Sequence, residues 1–339
     1  MRKCGFLKIE TVLIFSIFLM IDVFSWGQGK KYLNKSFRLT IDNDFLNYRG
    51  TGTDHYYTNG VELEFSRFHE KQFFFAGKLL LNTGNDTENI AHWSITQLMF
   101  TPDHIRESQV LCNDRSYAGS LYITRGRTSF SSSLNLTLHS EINIGVIGPY
   151  SFAKNTQTWM HRIISNPEPQ GWNNQIKTDI VLNYNIKVSK QIFNSDKLQG
   201  NVQVASRAGT LFNDLNVGFG LSAGKLDAYP HDAQDNCILM KMNKSIKSEI
   251  YFFSNGQLKL VLGNSLLQGG FIQSFKNACS DFYHIDEENI NRLVSLLESG
   301  IVINKFKWSL SLSENFISKE FKTTKTQLFG RIRITRRFS

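Results

Sequence analysis

Two groups of residues in this sequence have types and spacings that could do chemistry. Asp42, Asn43 and Asp44, followed by Asn47 and Asp54, gather carboxylate and amide oxygens in one short stretch. Such oxygens suit a hard cation such as Ca²⁺. Leu46 interrupts the ligand spacing of a helix-loop-helix calcium site, and the same residue types also favour a plain strand-to-loop corner. The second group centres on His161, one of eight histidines. A general base at His161 needs a water within reach and a partner that orients the ring. Residues 155–165 predict a short helix, with Asn155 or Thr156 able to cap its start and Pro167 and Pro169 to stop it. Gln157 and His161, four residues apart, then share one helical face.

Other candidates separate quickly. Gly220-Leu221-Ser222-Ala223-Gly224 matches the G-x-S-x-G nucleophile elbow, but that motif needs a sharp turn from strand into helix. Here it falls inside an alternating stretch with Val217, Phe219 and Leu221 on one face, and is read as a chance match. Arg106, Arg115 and Arg162 lie in predicted loops, where a planar guanidinium can meet a phosphate. Cys112, Cys237 and Cys279 are odd in number and widely spaced, which gives neither a disulfide framework nor a metal pattern.

The elements that must position these residues are strands. Period-2 alternation recurs with turn residues between the segments. Phe37, Leu39 and Ile41 alternate with Arg38, Thr40 and Asp42, and Val61, Leu63 and Phe65 alternate with Glu62, Glu64 and Ser66. Ten further segments follow, at residues 93–101, 116–124, 129–147, 178–189, 201–210, 215–226, 248–267, 293–304, 307–317 and 324–338. Only 41% of residues are hydrophobic and mean hydropathy is −0.25, yet there are 27 phenylalanines and 11 tyrosines. That combination fits an all-β fold, a single antiparallel transmembrane barrel of about twelve strands with apolar side chains outward and aromatics at the interfaces. The final segment runs in alternation to Phe338, one residue from the end. Each strand needs only ~10 residues to cross the bilayer, so much of the chain is left for long extracellular loops, one carrying the short helix.

The N-terminus supports export. Arg2, Lys3 and Lys8 precede an apolar run over 11–25, and Ser25-Trp26-Gly27 offers small residues to a signal peptidase. Residues 1–27 are read as a cleaved signal peptide and 28–339 as one barrel domain. The run is shorter than the ~20 apolar residues of a spanning helix and contains Asp22. The formal net charge of +9 suits an anionic partner. For an exported chain that excludes nucleic acid and favours phosphorylated lipid at a membrane surface.

Four groups of residues together resemble the lipid A 3′-O-deacylase family of outer-membrane barrels. They are IDNDF at 41–45, YYTNG at 56–60, GVIGP at 145–149 leading into QTWMHRIIS, and NSLLQG at 264–269 with SKEFKT at 318–323. The resemblance extends from about Phe37 to Phe338, and the GVIGP…HRII…W unit is its most specific part. It implies a monomeric twelve-stranded barrel among outer-membrane lipids, with lipid A or lipopolysaccharide as substrate. It also implies Ca²⁺-dependent removal of the 3′-linked acyloxyacyl chain by water that a histidine activates. Residue by residue, the family's catalytic and metal positions fall on Asn43, Asp44, Thr58, Gln157 and His161. The family's glutamate falls on Pro167, with Glu168 next, so either Glu168 serves as a metal ligand by a one-residue shift or the role is lost. With that substrate, the basic loops at Arg106, Arg115 and Arg162 are where lipid A phosphates would be met. The rival readings are a non-catalytic porin or solute channel, with an open lumen and no role for His161, and a barrel phospholipase with a serine nucleophile.

Overall fold

In the computed structural model, which describes residues 34–47, 55–68, 79–84, 87–226, 248–271 and 284–338, the strands form one closed antiparallel barrel. Its wall begins with β1 (Lys35–Asn43), β2 (Tyr56–Phe68), β3 (Glu88–Thr101) and β4 (Ala118–Ser131). It continues through β5 (Leu136–Ile147), β6 (Asp179–Asn194), β7 (Leu198–Gly209) and β8 (Phe212–Lys225). It ends with β9 (Glu249–Asn264), β10 (Leu293–Lys305), β11 (Trp308–Ile317) and β12 (Gln327–Phe338). Sequential neighbours pair throughout, and β12 closes on β1, with Phe338 opposite Lys35 and Gly330 opposite Asn43. The predicted signal peptide, Asp54, Cys237 and Cys279 lie outside the described residues.

The alternation read from sequence decides which side chain faces which solvent. On β8, Leu215, Val217, Phe219 and Leu221 are exposed on the outer face while Asp214, Asn216 and Ser222 are buried within. Ser222 and its flanking glycines thus lie in continuous strand, with no elbow. Inside, charged groups pair across the lumen. Arg331 grips Asp42 through both carboxylate oxygens, Arg333 pairs with Glu298 at 2.9 Å, and Arg38 pairs with Glu64. At the terminal end, Arg336 lies over the Trp308 ring at 5.3 Å, and Phe65 tilts against Phe338.

Two departures from the expected pattern have local causes. Residues 129–147 contain the end of β4, a turn at 132–135 and then β5; the serine-rich turn continues the alternation and hides the break. Asn135 adopts a left-handed φ of 49° there, which asparagine tolerates well. On the outer wall, Arg127, Ser129 and Ser140 are buried although they share parity with lipid-facing residues. Residues 79–84 cover them: Arg127 donates to the Leu80 carbonyl at 2.8 Å, and Leu81 N–H donates to Ser140 at 3.0 Å.

Near the end opposite the termini, the polar lumen gives way to an apolar layer. Tyr57, Phe100, Ala118, Ile147, Val181 and Phe329 point inward from six strands and pack with Ile176, Leu211 and Leu266 from the loops. Tyr57 meets Phe329 edge-on at 4.6 Å. The loops that carry the candidate chemistry rest on this layer.

Candidate active site

The loop after β5 begins with a turn that only certain residues allow. Gly148 has φ +80°, and a side chain there would come within 2.6 Å of the Ile176 carbonyl. Pro149–Ser151 then forms a 3-10 turn that Ser151 closes by donating to the Gly148 carbonyl at 2.6 Å. Phe152, at a left-handed φ of 58°, leads into helix α1 (Ala153–Ile163). The helix start settles against β4 because position 119 has no side chain. A Cβ on Gly119 would lie 2.3 Å from Ser151 Oγ and 2.4 Å from Ala153 Cβ. Gln97 on β3 adds a hydrogen bond to the Ser151 carbonyl at 2.7 Å. The predicted helix at 155–165 is therefore present, shifted two residues toward the N-terminus.

Helix α1 buries Ala153, Gln157 and His161, a stripe at spacing four. Off that stripe, Trp159 and Met160 are exposed. Past the helix, Ser165 takes a left-handed φ of 55° and the chain doubles back. That reversal places the Pro167 carbonyl 2.6 Å from His161 Nδ1. A carbonyl only accepts, so Nδ1 carries the proton, and in the neutral ring the lone pair falls on Nε2. The ring is thus oriented and held in the tautomer a general base needs. Gln157 is fixed in the same way. The indole of fully buried Trp172 donates to Gln157 Oε1 at 2.7 Å, which turns the amide NH₂ the other way. Trp172 packs on Tyr117, whose hydroxyl donates to the Ile105 carbonyl at 3.0 Å.

Around the rim, β1 ends in a 3-10 turn over Asp44–Leu46 that Asn43 caps, its Oδ1 accepting from Phe45 N–H at 2.9 Å. Gly330 on β12 makes room, since a Cβ there would lie 2.3 Å from the Leu46 carbonyl. Asp44 is buried, with Oδ2 accepting from His55 N–H at 2.8 Å and its own carbonyl held by Asn47. Thr58 stands at a bulge in β2, where the register with β3 steps from Tyr57–Phe100 to Asn59–Met99. The bulge breaks strict alternation at this end, and Thr58 Oγ1 meets Thr101 Oγ1 at 2.7 Å. Asn43, Asp44, Thr58, Gln157 and His161 all lie at the barrel end away from the termini, though Asn43 and Asp44 reach it on β1, far in sequence from α1.

Two residues meet surroundings other than those expected. Both carboxylate oxygens of Glu168 accept from Arg162, at 2.7 and 3.3 Å, in an exposed ion pair. This hydrogen bond holds the Glu168 carboxyl below its ordinary range and raises Arg162. The His161 Nδ1 contact is to the backbone carbonyl of Pro167. Arg115 is not open to phosphate: it is fully buried, lies over the Phe100 ring at 4.1 Å and donates to the Leu266 carbonyl. Burial pulls its pKa down to about 10, against the opposing pull of Glu320 and Asp114. Its sequence neighbourhood resembles a loop, but the loop folds inward over the apolar layer. Arg106 and Arg162 are exposed. Sequence reasoning missed Pro167, because a backbone carbonyl has no residue-type signature, and Gly119, whose role exists only through what packs on it.

A closed twelve-stranded barrel with an apolar outer belt is an outer-membrane architecture, and the candidate site lies at its loop end. The chain belongs to the outer membrane protein LpxR family, whose model matches residues 13–338. Among solved structures, LpxR from Salmonella typhimurium matches with a TM-score of 0.70 at 20% identity, covering 89% of this chain and 100% of that one. The β domain of the Bordetella autotransporter BrkA gives a TM-score of 0.44 at 7% identity, over 91% of this chain and 100% of that one. The translocator domain of NalP from Neisseria meningitidis gives 0.41 at 9% identity, over 98% and 97%. Comparison with curated protein sequences gives no match.

Proposed function

We propose that the chain hydrolyses the ester that links the 3′ acyloxyacyl group to lipid A, acting as a monomer at the outer-membrane surface after loss of residues 1–27. The observation that carries this reading is the His161–Pro167 contact, which orients the imidazole of a candidate base on a rim helix. His161 Nε2 takes a proton from water as the water oxygen attacks the ester carbonyl. When the tetrahedral intermediate collapses, the C–O bond to the sugar breaks and the same nitrogen returns the proton to the departing oxygen. Gln157, with its amide NH₂ turned from Trp172, and the Thr58 hydroxyl are the donors proposed for the developing oxyanion. The carboxylate of Asp44 and the amide oxygen of Asn43 are the ligand types a hard cation takes. Calcium held there would supply positive charge to the oxyanion. Trp159 and Met160 give α1 an apolar face toward acyl chains, and Arg106 and Arg162 offer cations to the phosphates.

The apolar layer beneath the rim weighs against a water-filled channel, and the strand setting of Ser222 weighs against a serine nucleophile. The test is the lipid A mass profile of cells with and without the chain. The expected result is loss of one acyloxyacyl group, abolished by His161→Ala with the barrel still folded and by excess chelator in vitro. Full activity of the variant would refute the base, and activity in chelator would remove the cation.

A further inference from the structure

A second cluster of metal-ligating side chains lies inside the barrel wall, away from the rim. We propose that His92, His139 and Glu141 bind a borderline divalent transition metal of the zinc class in the lumen, bracing β3 to β5 across β4. His92 and Gly126 are register partners, and so are Gly126 and Glu141, so the first and last face each other across one intervening strand. His139 Nε2 lies 3.0 Å from Glu141 Oε2, and His92 Nε2 lies 3.8 Å from the same oxygen. The two imidazoles stack, with centroids 5.0 Å apart and planes within 8°. One ligand atom from each residue falls within 4.8 Å of the others. Tetrahedral zinc with bonds of about 2.0–2.2 Å places its ligand atoms about 3.3–3.5 Å apart. Side-chain adjustments on the order of 1 Å therefore close the set.

Three surrounding features do what the outer partners of a metal site do. Thr128 Oγ1 lies 2.8 Å from His139 Nδ1, fixing the nitrogen that does not face Glu141. Asn185 donates to Glu141 Oε1 at 2.6 Å, leaving Oε2 turned to the histidines. Gly126 clears the path: a Cβ there would lie 2.1 Å from His92 Nε2, so any other residue would push the ring from Glu141. An ordinary ion pair would need only His139 and Glu141. The approach of a second imidazole across a glycine is what a shared ligand explains. Two imidazole nitrogens and one carboxylate select zinc-class ions over calcium, which takes six to eight oxygens. The cluster borders a lumen cavity of about 230 Å³, which leaves a fourth position to water.

The test uses the full, untagged barrel purified in detergent and stripped with chelator. Titration with Zn²⁺ should show one tight equivalent, and Co²⁺ should give visible absorption that Zn²⁺ displaces. H92Q and H139Q should lose both signals, H161A should retain them, and Thr128→Val should weaken affinity by about 10–100-fold. Glu141→Gln keeps the side-chain volume and should also lose the site if a histidine variant does not fold. Absence of a stoichiometric Zn²⁺ equivalent, or one that survives in folded H92Q and E141Q, overturns the proposal.

Discussion

Gly119→Ala tests whether α1 must sit where it does for His161 to work. The added methyl would stand 2.3 Å from Ser151 Oγ and 2.4 Å from Ala153 Cβ, where ordinary contact begins at 3.4 Å. Helix α1 or the strand beneath it must therefore yield by about 1 Å. The strand is clamped on both sides, pairing with β3 through Gly119–Met99 and with β5 through Ser120–Ile147. The helix is the freer partner and should move, taking Gln157 and His161 with it. A displacement of about 1 Å in a catalytic group can cost about 10²-fold in rate, whereas overpacking costs about 1–3 kcal/mol in stability. The assay is release of the acyloxyacyl acid from lipid A micelles by purified protein, beside its thermal unfolding. The expected variant folds, melts somewhat lower and turns over about a hundredfold more slowly. Wild-type turnover in the folded variant would show that the helix position does not set the chemistry.

Three further outcomes follow from the rim contacts. Trp172→Phe removes the indole donor and leaves buried Gln157 Oε1 without that partner, at a cost of about 1–3 kcal/mol; urea unfolding should show the loss and lipid A turnover should fall with it. Partial burial raises the Asp103 carboxyl, but the Lys325 hydrogen bond and His55 outweigh it and hold the group below 3.8. A carboxylate depressed on folding stabilises above its unfolded value and loses that contribution as pH falls through the folded one. Rim-loop hydrogen exchange should therefore rise below about pH 4 in the wild type, and the Asp103→Asn loops should lose most of that acid dependence. Glu168→Ala breaks only an exposed ion pair and should leave the melting temperature and most of the activity intact; a loss as complete as that of His161→Ala would make Glu168 a ligand after all.

The barrel was legible because a membrane strand declares both its faces. Leu215, Val217, Phe219 and Leu221 alternate with residues that must be polar, and the pattern gives way only where another segment covers the wall, as residues 79–84 do over Arg127 and Ser140. Strand ends were less legible, since the turn at 132–135 continues the serine alternation of β4. The rim was legible in its side chains only. Asn43, Asp44, Gln157 and His161 carry chemical types that suggest roles, yet their local structure also gives some of them plain structural work, as Asn43 caps a turn. Arg115 reads as a loop cation, and only the inward folding of its loop over Phe100 reveals it as a buried one. Gly119 and Gly126 carry no chemical signal, and their roles come entirely from neighbours distant in sequence.

Pro167 shows why a missing side chain need not mean a missing function. An acid near a catalytic histidine can orient the ring, fix its tautomer, stabilise the imidazolium or bind a cation. A backbone carbonyl performs the first two, and the 2.6 Å contact to Nδ1 does so here. It carries a dipole where a carboxylate carries a full charge, so its hold on a charged imidazolium is weaker. It adds no ligand charge to a cation, which leaves Asp44 as the carboxylate proposed for that role. Proline suits the position because its fixed φ holds the reversed chain after Ser165, and because it has no N–H to compete for nearby acceptors. Replacing Pro167 by alanine would keep the carbonyl but loosen the turn. His161 should then stay competent while its orientation broadens, lowering turnover less than His161→Ala does. If Pro167→Ala were as inactive as the histidine variant with the barrel folded, the rigidity of the turn, and not the carbonyl alone, would be what holds the base.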